Sequence, residues 1–238
     1  MVPSDPSLAL PPRPAVPTLD EIMRLKPGER RVYRGVDWGF YERVHEVVGP
    51  SRWLRIAFDG KDLEIMPTSG FHDFVKDYSF RLIEIITEEL GIPSTSLGST
   101  TWMREAIQRG IEADECFFFA QDKLAMINVA IARAAKEIAA YPNPDLAIEV
   151  DISEPQVDRP GIYAALRVPE IWRFNETGAI IERLTDQGTY ADAGRSGFLP
   201  IVADEVARWV LREDRSNLLD WKRRLRGWVR AEVAGRAR

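Results

Sequence analysis

The chain has 238 residues, 45% of them hydrophobic and 29% charged, enough for one filled core with a tail or small appendage. With the single cysteine Cys116 and only His45 and His72 beside it, an internal disulfide and a Cys/His zinc cluster are both excluded. A net charge of −5 supplies no global field that would draw in nucleic acid, so any such contact needs a local basic patch.

A metal site would have to rest on carboxylates, which favour a hard ion such as Mg²⁺ or Mn²⁺. No run approaches the roughly 20 apolar residues that cross a bilayer. The opening MVPSDPSLALPPRPAVP has an acid and prolines where a secretory signal has basic residues and an apolar stretch. A cytoplasmic protein without membrane contact is expected.

In chain order, residues 1–18 are proline-rich and read as a disordered tail. VDWGFYERVHEVV, from Val36 to Val48, suggests a short helix. WLRIAF and DLEIMP then flank Asp59-Gly60, a dipeptide suited to a tight hairpin. Phe74, Tyr78, Leu82, Ile85 and Ile86 follow a helical period over residues 72–90, and Gly91 to Pro93 stops that helix. Short strands are expected at STTW, ECFFF and DLAIEV, with a helix from about Leu124 to Ala139 between the last two. A helical IYAALR precedes strands EIWRF, AIIERL and TYAD, separated by turns at Asn175, Gly178 and Gly188. Residues 19–200 thus read as one α+β domain around a mixed sheet. Residues 201–238 read as two amphipathic helices, the second carrying Leu218, Trp221, Leu225 and Trp228 on one stripe. That stripe would pack on the domain or on a second subunit, and a homodimer is one expectation. The run WKRRLRGWVR is either a solvated face or a phosphate-binding patch.

Period-two alternation in DLAIEVD sends Glu149 and Asp151 to the face opposite Leu146, Ile148 and Val150. In GIEADECFFF the same alternation puts Glu112 and Asp114 on one face with Cys116, and Glu115 on the other. One acid from each of two neighbouring strands could clamp a divalent ion. They could equally pair with nearby arginines, and spacing alone does not separate the two. Tyr163 and Trp172 read as core residues rather than base-stacking platforms. Neither a GxxxxGK phosphate loop nor a helix-turn-helix pattern is present.

The motifs DLEIMPTSGFHDF, GSTTW, RGIEADECFFF, YPNPDLAIEVD and DRPGIYAALRVPEIWRF, in that order, resemble those of the Uma-two family of predicted restriction endonucleases, over roughly residues 36–200. This bacterial family is similar to the PD-(D/E)XK nucleases. The resemblance implies a restriction-endonuclease-like fold, with Asp114 as first and Glu149 as second Mg²⁺-binding acid, and DNA as substrate. It also implies that Arg159, four residues before Tyr163, holds the place of the family's basic residue, and that His72 matches a histidine that touches the scissile phosphate or lines the cleft; the alternative for His72 is a residue at the helix start making local hydrogen bonds. Two positions depart from the pattern. Asp151 stands where a lysine follows the second acid, and Ala113 stands where proline precedes the first.

An arginine stays protonated, so Arg159 could steady developing negative charge but could not act as a general base. On the resemblance the expected activity is Mg²⁺-dependent (or Mn²⁺-dependent) hydrolysis of a phosphodiester, with Asp151 and His72 as helpers. Two alternatives carry the same fold: a catalytically weak or silent module that binds nucleic acid or a protein, and a phosphoesterase for another substrate.

Overall fold

Thr18 opens the first helix with a reciprocal cap, its hydroxyl accepting from the Glu21 N–H while the Glu21 carboxylate accepts from the Thr18 N–H. That helix, α1 (Leu19–Met23), leads to strand β1 (Arg31–Tyr33) and helix α2 (Trp38–Val48). The computed structural model describes residues 14–49 and 53–236. Most of the tail expected over residues 1–18 lies outside the described residues. Its last part is packed: Val16 lies against the core of α2, and Thr18 is the cap. Helix α2 begins two residues after Val36 because the Asp37 carboxylate accepts the Phe40 N–H.

Strands β2 (Leu54–Phe58) and β3 (Leu63–Pro67) form the expected hairpin, with Phe58 opposite Leu63 and Gly60 in the loop at φ 92°. Ser69 caps α3 (Gly70–Leu90), and Gly91 ends it in the left-handed conformation. Then come β4 (Thr95–Ser96), β5 (Thr101–Arg104), β6 (Arg109–Glu112), β7 (Glu115–Phe118), α4 (Gln121–Ala132) and β8 (Leu146–Val150). They are followed by α5 (Arg159–Ala165), β9 (Glu170–Phe174), β10 (Ala179–Leu184), β11 (Tyr190–Asp192), α6 (Ala203–Ala207) and α7 (Leu218–Trp228).

The fold is α+β, with the strands divided between two sheets. An antiparallel sheet runs β1-β3-β2-β6-β5, and a mixed sheet runs β11-β10-β9-β8-β7-β4. In the mixed sheet β8 and β9 are parallel, joined by the crossover through α5. Leu146, Ile148 and Val150 of β8 face a core shared with α3 and the C-terminal helices. Ala147 faces a second core with Ile127 of α4 and Ile162 and Tyr163 of α5.

Two expectations are corrected. The run GIEADECFFF is not one strand. It leaves the first sheet after Glu112 and enters the second at Glu115, and its alternation changes phase on the way, so that Ile111, Ala113, Cys116 and Phe118 share one apolar cluster. Cys116 therefore does not share a face with Asp114. The helix expected to reach Ala139 stops at Ala132. The Ala134 and Ala135 N–H groups close it back onto Ile131 and Ala130, with Ala134 at φ 50°. The Arg104 guanidinium then takes the carbonyls of Ile138 and Tyr141, drawing the chain to β5 and overriding an alanine-rich helix propensity.

The C-terminal tryptophans are used inside the chain. Trp221 is fully buried edge-on to Tyr78 of α3, with ring centroids 5.0 Å apart, and packs on Trp209. Most of the basic run is also spent internally: Arg226 and Arg230 bind Glu89, Arg224 reaches Glu213, and Arg223 reaches Asp220. Among the described residues no helix is long and apolar enough to cross a membrane.

Candidate functional site

Glu115 of β7 stands opposite Ile148 of β8, and the Asp114 N–H donates to the Ile148 carbonyl. One step further along this register, Asp114 comes opposite Glu149. The first acid therefore sits where the chain crosses between sheets, and the second sits on a strand with neighbours on both sides. Both are buried, at 1% and 2% exposure. A buried carboxylate is costly unless its charge is met, so the partners decide what the pair can do.

Asp114 Oδ1 accepts from Arg55 Nε at 2.9 Å, and Oδ2 accepts from the Val150 N–H at 2.8 Å. His72 Nε2 lies 2.7 Å from the same Oδ1, off the direction of a good hydrogen bond. Burial opposes ionisation of Asp114, but His72, Arg55 and the Val150 N–H together hold its carboxyl well below the usual range. Glu149 goes the other way. Burial, then the negative charge of Asp114, raises its carboxyl, and Arg159 only partly offsets them.

Arg159 Nη1 binds Glu149 Oε2 at 2.9 Å and reaches Asp151 Oδ1 at 3.5 Å, while Nη2 binds Glu64 Oε1 at 2.8 Å. Tyr163 donates its hydroxyl to Glu149 Oε1. Both terminal nitrogens of Arg159 are thus committed to carboxylates, and its buried Nε has no partner among the described residues. The crevice beside it, by Asp151 and Arg173, has a volume of about 10 Å³, room for a water at most. All five residues singled out from the sequence stand in one cluster, with His72 and Asp114 on one side and Glu149, Asp151 and Arg159 on the other.

Sequence reading missed Arg30, Arg55 and Glu64. Glu64 of β3 accepts from Arg30 at 2.6 Å as well as from Arg159. Arg55 of β2 binds Glu112 at 3.0 Å besides Asp114. Burial first, then Asp114, pushes Glu112 up to about 7, against the pull of Arg55. The signal available was Arg55 and Glu64 pointing inward from an otherwise apolar hairpin, LRIAF and LEIMP. Lys76 was legible too, one helical turn after His72 on the same face of α3.

An open cleft of about 1230 Å³ lies over the Asp114 end of the cluster. Arg55, Lys76 and Ser99 form its wall there, and Trp53 and Ile138 contribute elsewhere. Six acids, Glu46, Asp73, Asp77, Glu112, Glu115 and Glu137, also line it. The Ser99 hydroxyl donates to the Asp114 carbonyl at 2.9 Å and accepts from Lys76.

The donor chemistry can be set against a divalent ion. Direct ion pairs join five carboxylates (Glu64, Glu112, Asp114, Glu149 and Asp151) to three guanidiniums (Arg30, Arg55 and Arg159). With every carboxylate ionised the cluster is short of two positive charges, a deficit that the raised carboxyls of Glu149 and Glu112 meet in part by holding protons. Hard oxygen donors with a deficit of this size fit Mg²⁺ or Mn²⁺. The fit is confined to a carboxylate pair, since among the described residues no group of three or more His, Cys, Asp or Glu is placed to hold a metal.

Comparisons with known proteins add little to this geometry. No family model and no curated protein matches the chain. Among solved structures, the chain is similar to a candidate nuclease of DUF820 from Anabaena variabilis, with 12% identity and a TM-score of 0.41 over 79% of this chain and 99% of that one.

Proposed function

We propose that the chain is a nuclease-fold protein of the Uma-two kind that hydrolyses phosphodiester bonds of DNA with a divalent ion held by Asp114 and Glu149. The observation that supports this reading is the opposed, buried pair of acids on adjoining strands, in a cluster deficient in positive charge beside an open cleft. When bound, Mg²⁺ or Mn²⁺ supplies Lewis acidity, making water more acidic and offsetting charge at phosphorus. The chain's own residues do the positioning. Arg55 and the Val150 N–H fix the Asp114 carboxylate, while Arg159 and Tyr163 fix that of Glu149. Arg159 acts through Glu149 rather than on the phosphate, because its terminal nitrogens are occupied.

A second reading, a silent binding module on the same fold, is favoured by one observation: built-in donors already engage every oxygen of the two acids. Incubation of purified protein with supercoiled and single-stranded DNA, with Mg²⁺ or Mn²⁺, separates the two. The nuclease reading expects cleavage that EDTA, Asp114→Asn and Glu149→Gln each abolish. DNA left intact by a folded wild type with either metal leaves the silent module.

A further inference from the structure

Of the basic groups around Asp114 and Glu149, Arg30, Arg55 and Arg159 are each tied to at least one buried carboxylate at 2.6–3.0 Å. Lys76 differs. Among the described residues its ammonium has one hydrogen-bond partner, the Ser99 hydroxyl, and no carboxylate within ion-pair distance. It is half-buried on the cleft wall, which it shares with Arg55, whose guanidinium is held by Glu112 and Asp114. Leaving a neutral hydroxyl costs an ammonium far less than leaving a buried carboxylate.

We propose that Lys76 is the phosphate-contacting cation of this cleft, with Ser99 as its resting partner, binding a non-bridging oxygen of a phosphodiester that lies over Asp114. This rests on the nuclease reading above. Three features carry it. Ser99 couples the ammonium to the backbone of Asp114, so a phosphate on Lys76 lies next to the first acid. Helix α3 carries both Lys76 and His72, one turn apart, and fixes the ammonium relative to the imidazole beside Asp114. Finally, the lining sets Arg55, Lys76 and Lys136 against six acids, and among the described residues Lys76 is the one of these cations that both reaches Asp114 through Ser99 and lies outside any carboxylate ion pair. A lysine suits the task, since its flexible stem lets a point charge swing between a hydroxyl and a phosphate.

The test compares wild type, Lys76→Met and Lys76→Arg, each first shown to unfold at the wild-type temperature. Binding of a labelled DNA duplex is measured in Ca²⁺ over a range of KCl concentrations, and cleavage is measured in Mg²⁺. A phosphate contact predicts that Lys76→Met lowers the slope of log K against log salt by about 0.9 and slows cleavage by about tenfold or more. Lys76→Arg should retain the slope, which a merely structural role would not require. Wild-type slope and rate in Lys76→Met would overturn the role of Lys76 and leave the nuclease reading standing. A wild type that neither binds nor cleaves DNA would overturn both.

Discussion

Arg55 Nε meets Asp114 Oδ1 at 2.9 Å, so a cation from the antiparallel sheet holds the acid that stands where the chain enters the mixed sheet. The same guanidinium holds Glu112 through Nη1 at 3.0 Å. Arg55 therefore joins the two sheets electrostatically at the place where β6 gives way to β7.

Arg55→Met should destabilise the chain by about 3–5 kcal/mol, because it strands the buried Asp114 carboxylate without its guanidinium. Urea unfolding of the two proteins gives the difference. A loss below about 1 kcal/mol would place Arg55 in the class of ordinary surface pairs.

Arg159 and Glu64 should couple strongly. Their side chains are 6% and 0% exposed and meet at 2.8 Å, and Glu64 also holds Arg30. Arg159→Met alone leaves Glu149, Asp151 and Glu64 short of charge, whereas Arg159→Met with Glu64→Gln removes one of the stranded carboxylates. A double-mutant cycle in urea should show a coupling above about 1 kcal/mol. Strict additivity would mean that the contact contributes nothing specific.

Acid should loosen the C-terminal helix. Hydrogen bonds from Arg230 and then Arg226 hold the Glu89 carboxyl below its ordinary value of 4.5. A depressed carboxylate contributes its stability in full above that ordinary value and loses it as pH falls through the lower folded value. Tryptophan fluorescence from Trp221 and Trp228 should therefore change as pH drops below about 4.5. Glu89→Gln should flatten this part of the profile, and an unchanged profile in that variant would assign it to other acids.

Local chemistry made much of the fold legible. Asp59-Gly60 marked the hairpin, Gly91 marked the end of α3, and alternation in DLAIEV set the two faces of β8. The Thr18/Glu21 cap was equally visible in TLDE but was subsumed in the proline-rich tail. What escaped depended on tertiary contacts. The end of α4 is set by Arg104 reaching across to Ile138 and Tyr141, and the break in GIEADECFFF by a change of sheet at Asp114. At the candidate site the acids were readable from their motifs, but their partners were not. Arg55 lies 59 residues from Asp114, and Glu64 lies 95 residues from Arg159, the cation it shares with Glu149, and only folding brings them together.

The most direct test of the account is whether Asp114 and Glu149 hold a divalent ion, measured by titrating Mn²⁺ into the protein and following the free-ion electron paramagnetic resonance signal. The account predicts saturable binding, weakened by about tenfold or more in Asp114→Asn and in Glu149→Gln, with both variants still folded. Wild type that leaves the Mn²⁺ signal untouched, or variants that bind as tightly as wild type, would contradict it.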